Sequence, residues 1–132
     1  MKEISLQTNS RVEMIDVTAT VQKAVGEEKI ETGLCLVYTP HTTAAVTINE
    51  NADPDVPHDI LEALERAVPL RANYRHAEGN SAAHVKSSLV GASELVIIEK
   101  DRLVLGTWQS IFFCEFDGPR TRKLIIKFIN TK

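Results

Sequence analysis

The chain has 132 residues, 43% of them hydrophobic and 25% charged, with a formal net charge of −3. That length suits one domain with a sizeable core, and the balance excludes a disordered or fibrous chain. The slight acidity argues against nucleic-acid and membrane-surface binding, which need a basic face, and the local exception Arg120-Thr121-Arg122-Lys123 is too short for a polybasic arm.

The N-terminal residues alternate polar and apolar instead of forming a signal-peptide core, and no apolar run approaches the roughly 20 residues of a membrane helix. Ile4 and Leu6, then Val12 and Met14, flank Thr8-Asn9-Ser10 and predict a β-hairpin. Asp16 or Thr18 can cap a short helix carrying Val21, Ala24 and Val25 and ending near Gly26. Gly33 opens the strand-like run Leu34 to Tyr38, which Pro40 stops, and a second strand covers Ala44 to Ile48. Residues Asn51 to Pro57 read as loop. Ile60, Leu61, Leu64 and Val68 then have helical spacing, ended by Pro69. A further helix runs from Ser81 to Leu89, with Gly91 as its stop. Strands at Glu94 to Glu99, Thr107 to Phe116 and Arg122 to Ile129 close the chain, with a turn at Lys100-Asp101-Arg102.

The order β-β-α-β-β-α-α-β-β-β, without regular β-α alternation, predicts an α+β fold of mainly antiparallel sheets. Phe112, Cys114 and Phe116 alternate with Phe113 and Glu115, which gives one apolar and one mixed face. The mixed face suits solvent with a site at its end, or a subunit contact. Cys35 and Cys114 lie in apolar runs without CxxC spacing and read as two reduced, buried thiols of a cytoplasmic protein.

Four polar segments fall at element ends, where loops gather functional groups. Thr39-Pro40-His41-Thr42-Thr43 is either a capped turn or a metal or proton-transfer histidine beside hydroxyls that grip an oxyanion. In Asn49 to Asp55, helix capping explains Asp55 and leaves Glu50 and Asp53 for function. The segment from His76 to His84 combines two imidazoles with Glu78-Gly79-Asn80-Ser81 at a helix start. Gly79 allows tight backbone geometry, Asn80 or Ser81 can be the N-cap, and free amides there favour an anion. The eight-residue spacing means His76 must fold back over the helix if it shares one ion with His84. In the fourth segment, Leu105 to Gln109 holds Trp108, read as a core or interface aromatic. Glu115 and Arg120 flank an Asp117-Gly118-Pro119 turn; they either pair with each other or leave the Arg120 fork for phosphate oxygens. His58 reads as an ordinary exposed or capping residue, and P-loop, Rossmann, nucleophile-elbow and zincin motifs are absent.

These segments, in this order, resemble the YjbQ-like family, also described as secondary thiamine-phosphate synthase. The matching residues are His41 to Ala45, Asn49-Glu50, Asp53 to Val56, His76 to Asn80, Ala83-His84, Leu105 to Gln109 and Glu115 to Arg120. The resemblance spans essentially the whole chain. It implies two antiparallel sheets packed as a sandwich with helices, a homotrimer with sites near subunit boundaries, and a metal pocket built on the matching histidines. It further implies weak thiamine-phosphate synthesis, joining hydroxymethylpyrimidine diphosphate to the thiazole phosphate with loss of pyrophosphate.

The combined reading is a metal-assisted enzyme acting on a small phosphorylated metabolite. His41, His76 and His84 would be ligands or a proton relay, with Glu50 or Glu115 as carboxylate partner. Thr42, Thr43, Arg120 and the backbone at Gly79, Asn80 and Ser81 would hold phosphate oxygens. Three nitrogens and a carboxylate suit zinc, with magnesium or manganese as alternatives. The rival reading is a non-catalytic homotrimer that binds a metal or an anionic metabolite.

Overall fold

A computed structural model describes residues 1–131. The chain runs β1 (Lys2–Gln7), β2 (Glu13–Asp16), α1 (Thr18–Glu28), β3 (Gly33–Tyr38), β4 (Ala44–Glu50), α2 (Asp55–Ala67), α3 (Ser81–Val90), β5 (Ser93–Glu99), β6 (Arg102–Leu103), β7 (Gln109–Glu115) and β8 (Thr121–Asn130). One sheet has the order β1-β8-β3-β5-β6 and the other β2-β7-β4, and every pairing is antiparallel. The α+β class and the antiparallel sheets therefore match the expectation. The short strand β6 is additional: Lys100 (φ 51) and Asp101 (φ 63) take left-handed conformations and close a tight hairpin from β5.

The expected hairpin around Thr8-Asn9-Ser10 is not formed. β1 pairs with β8 in the larger sheet, whereas β2 pairs with β7 in the smaller one. The two strands are the legs of an arch that crosses between sheets. β3 and β4 form a second arch and β7 and β8 a third. The β7–β8 arch is central, because β8 lies between β1 and β3 while β7 lies between β2 and β4. Alternation looks the same in an arch and a hairpin, since both put every second side chain inward.

Two cores follow. Between the sheets, Cys35, Val37, Val96, Ile98, Leu124 and Ile126 meet Val46, Ile111 and Phe113, with Val21, Ala24 and Val25 of α1 at the edge. On the other face of the smaller sheet, Ala45, Phe112, Cys114 and Phe116 pack under Leu61 and Leu64 of α2 and Ala83 of α3. β7 is thus covered on both faces, and the face read as mixed is buried through Ile111, Phe113 and Glu115. α1 continues past Gly26 to Glu28, and Asp16 Oδ1 accepts the Thr18 amide at 2.9 Å. Among the described residues, no helix is long and apolar enough to cross a membrane. Phe113 is fully buried between the sheets. Phe113→Ala is expected to cost about 3–5 kcal/mol in urea unfolding, with the fold retained.

Candidate functional site

The three arch bends stack at one end of the molecule: residues 8–12, 116–120 and 39–43. Glu115 and Arg122, the adjoining ends of the central arch's legs, are 0% and 4% exposed and form an ion pair. Arg122 Nε donates to Glu115 Oε1 at 2.9 Å, and Nη2 bonds Oε2. The flanking bends close round this pair. Thr8 Oγ1 donates to Glu115 Oε1 at 2.7 Å, and Arg122 Nη2 donates to Thr43 Oγ1 at 2.9 Å. The amide of Asp117 donates to Glu115 Oε2 at 3.1 Å. Gly118 fits because a Cβ there would lie 2.3 Å from the Ser10 carbonyl oxygen.

The fourth segment is wired differently from the sequence expectation. Glu115 pairs with Arg122, not Arg120, and both its oxygens are engaged. Arg120 instead bonds Asp117, through Nε to the backbone oxygen at 2.7 Å and Nη2 to Oδ2 at 3.0 Å. Asp117 Oδ2 also accepts from Asn80 Nδ2 at 2.8 Å, tying the start of α3 to the central bend. Thr43 is committed to Arg122, while Thr42 stays exposed. Sequence reasoning missed Arg122. It shares the inward parity of Leu124 and Ile126, and a charge on an apolar face was the available signal.

Asn80 occupies the N-cap position of α3, but no side chain caps the helix. The Asn80 Oδ1 atom is buried without a hydrogen-bond partner. Gly79 has φ +85, as the tight entry to the helix requires. His76 folds back as the spacing demanded. Its ring lies edge-on to His84, centroids 5.4 Å apart, and its Nδ1 is 3.0 Å from Ser81 Oγ. His76 Nε2 is 3.7 Å from Glu78 Oε1.

Two cavities flank this histidine pair. One, of about 360 Å³, is lined by His41, Thr42, His84, Ser87 and Ser88. The other, of about 330 Å³, is lined by His76, Gly79, Ser81, Arg71 and Tyr74. His41 Nε2 accepts the Lys123 amide at 2.9 Å. Burial, then Arg122, Lys123 and Arg120, hold its pKa below the usual histidine value against the pull of Glu115. The three imidazoles do not converge. Among the described residues, the only group of three or more His, Cys, Asp or Glu side chains with ligand atoms within 4.8 Å of one another is His58, Asp59 and Glu62 on the surface of α2.

Glu50 lies apart from all of this. The register Ala44↔Glu115 and Glu50↔Gln109 puts it at the far end of β4, beside Trp108, which is 63% exposed. Asp53 and Asp55 belong to the start of α2, where Asp53 Oδ1 accepts the Asp55 amide at 2.9 Å.

A family model described as UPF0047 protein YjbQ-like matches residues 2–131. The Bacillus subtilis UPF0047 protein YugU is 54% identical over 130 residues, which are 98% of each chain. The Methanocaldococcus jannaschii UPF0047 protein MJ1081 is 51% identical over 127 residues, 96% of this chain and 92% of that one. A crystal structure of an uncharacterized conserved protein of the YjbQ/UPF0047 family from Clostridium acetobutylicum superposes with a TM-score of 0.96 at 53% identity, covering 98% of this chain and 100% of that one.

Burial works against the charged form of Glu115, but Arg122, Thr8 and the Asp117 amide outweigh it and hold the pKa below its ordinary 4.5. A depressed acid stabilises the fold above its unfolded pKa and loses that contribution as the pH falls through the folded value. Chemical unfolding of the wild type should therefore weaken below pH 4.5 more steeply than that of Glu115→Gln. Near neutral pH, Arg122→Leu strands the carboxylate and is expected to cost about 3–5 kcal/mol.

Proposed function

Because this chain belongs to the YjbQ-like UPF0047 family, we propose that its stacked bends and the start of α3 bind a small phosphorylated or otherwise anionic metabolite beside a divalent cation, and that the cation assists chemistry at the phosphate. The observation that carries this reading is the position of His84. It touches His76 on one side and lines the His41 cavity on the other.

The residues that would hold a cation lie on the His76 side, and because no three of their ligand atoms lie within 4.8 Å of one another an ion there would have to draw the side chains together. Two imidazoles lie edge-on with centroids 5.4 Å apart, and a Glu78 carboxylate oxygen is 3.7 Å from His76 Nε2. Nitrogen donors with added oxygens suit zinc, whereas magnesium or manganese would lean on the oxygens. His76 and His84 would hold the ion. When bound, it would supply positive charge against a leaving diphosphate.

The chain's own groups would hold the anion. The Thr42 hydroxyl, the uncapped first amides of α3 and the half-exposed Arg120 all favour negatively charged oxygens. The reaction we propose is weak thiamine-phosphate synthesis. The thiazole nitrogen bonds to the pyrimidine methylene carbon, the carbon–oxygen bond breaks, and pyrophosphate leaves with the electron pair. Positioning and charge suffice for such a step, without a protein nucleophile.

The rival reading, a binding protein without turnover, draws on the carboxylates. Glu115 is closed off by Arg122 and Glu50 sits at the far end of β4, so neither is free beside the histidines of one chain. Purified, metal-defined protein given both substrates decides between the two readings. Formation of thiamine phosphate that falls in His84→Ala supports the enzyme; binding that His84→Ala abolishes, with no turnover in the unmodified protein, supports the binder. His76→Ala should lower bound metal with the fold intact, and unchanged metal content would remove His76 from the ligands.

We also propose a homotrimer in the cytoplasm. Leu34, Leu36 and Tyr38 of β3 share the outer face of the larger sheet with Leu95 and Ile97 of β5 and Ile125 and Ile129 of β8. Leu95, Ile97 and Ile129 are each more than half exposed. The exposed Lys127, paired with Leu36, interrupts this face between Ile125 and Ile129, and a sheet face otherwise so rich in exposed apolar side chains is a usual mark of a contact. Cys35 and Cys114 are free thiols buried in separate cores, and unpaired thiols are the usual state in a reducing compartment. Light scattering should give three times the chain mass for the wild type and a smaller species for Ile97→Lys; a monomeric wild type would reject the trimer.

A further inference from the structure

The chemistry of His41 is set by one backbone amide at the stacked bends. The register that pairs Tyr38 with Ile125 would place Pro40 opposite Lys123, but β3 stops at Tyr38. The Lys123 N–H therefore has no β3 carbonyl, and His41 Nε2 takes it at 2.9 Å. A ring nitrogen that accepts an N–H carries no proton, so the proton of the neutral imidazole sits on Nδ1. Turning the ring over would press a C–H against the same amide, so the hydrogen bond also fixes the ring's orientation. Protonating Nε2 would set two N–H groups head to head beside Arg122, Lys123 and Arg120, whose charges already oppose a cation there.

Nδ1 of His41 has no partner within the described residues, because the residue's remaining hydrogen bond is from its backbone amide to Thr39 Oγ1. In the cavity it lines, Ser87 Oγ donates to the carbonyls of Thr42 and His84, and Ser88 Oγ donates to that of His84. The donors left for a ligand are the His41 Nδ1–H, the Thr42 hydroxyl and the His84 ring. With its one fixed group a donor and two more groups able to donate, the site suits a ligand whose oxygens only accept.

We propose that His41 is a tautomer-locked, neutral binding residue whose Nδ1–H donates to a phosphate-class oxyanion, and that it takes no part in holding a metal. Coordination at Nε2 would displace the Lys123 amide. At Nδ1 it would require the ring's proton to move to Nε2, which again displaces the Lys123 amide, or to leave altogether, which makes the ring anionic. This assignment rests on the anion-binding reading of the same cavity and names the group that recognises the anion. It removes His41 from the three-histidine metal set.

The test joins long-range proton–nitrogen NMR of the metal-free wild type with titrations of inorganic phosphate and zinc, using His41→Gln to assign the ring signals. Glutamine can still offer an oxygen to the Lys123 amide but has no donor at the δ position. The wild-type spectrum should show the Nδ1–H form, and zinc should bind without coordination shifts at His41. Phosphate should bind about tenfold to a hundredfold more weakly to His41→Gln. An Nε2–H ring, metal-type shifts at His41, or equal phosphate affinity in the two proteins would each overturn the proposal. The tautomer is read from the wild-type spectrum, whose His41 ring signals can also be assigned through bonds to its own backbone, so this arm does not depend on how well the variant folds. Protein that takes up phosphate but no zinc, with the expected loss in His41→Gln, removes the metal from the proposed function and supports His41 as the anion's donor. Protein that takes up zinc but no phosphate does the reverse.

Discussion

The structure is organised round the Glu115–Arg122 pair. Removing two charges from water is costly, and their mutual attraction offsets that cost only when the remaining donors and acceptors are also satisfied. Thr8 on one side, Thr43 on the other and the Asp117 amide satisfy them. Because β7 and β8 belong to different sheets, the pair ties the two sheets together at one end. Its partners come from all three bends, so none of the bends can shift without leaving a buried charge short of a hydrogen bond.

That constraint is what makes a site. With the central bend fixed, Asp117 is placed to receive both Asn80 and Arg120, and the entry to α3 is fixed with it. A second charged cluster, built on the buried Lys86 with the part-exposed Glu65 and Arg11, holds the rest of the helical layer. Lys86, 1% exposed, bonds Glu65 of α2, which Arg11 also reaches at 2.7 Å. The Lys86 ammonium lies 5.9 Å from the Phe116 ring centroid. The central bend is thus gripped from the sheet side by one ion pair and from the helix side by another. α2 has no fully buried residue, so these charges and the Leu61–Leu64 stripe are what seat it.

The elements were legible because they depend on local patterns. The apolar run Leu34 to Tyr38 folds as the strand it predicted, and the helical spacing from Ile60 folds as α2, which ends at Ala67 just before Val68. Which sheet a strand joins is a long-range matter, and Ile4, Leu6, Val12 and Met14 read identically in a hairpin and an arch. The sequence spacing allowed a shared ion only if His76 folded back over the α3 start, and its ring does lie against that of His84. The Asn80 side chain did not follow from it, because Asp117, remote in sequence, competes for it and wins. Arg122 and Lys86 illustrate the opposite lesson. Each is a charge with the parity of an apolar face, and that conflict between local type and position is a readable sign of a buried ion pair.

The order of polar segments along the chain suggested one site, but β4 and β7 are each seven residues long and run antiparallel. At about 3.3 Å per residue, a strand of that length separates its ends by roughly 20 Å. The segments therefore divide. His41, His84, Asp117 and Arg120 gather at the bends, while Glu50, Trp108 and Gln109 gather at the opposite end. A small substrate held at His84 lies far from Glu50, so the reaction proposed there would proceed within one chain without it. Glu115 is excluded for a different reason. Withdrawing it from Arg122 to take a proton would undo the contact on which the bends, and with them the positions of the histidines, depend.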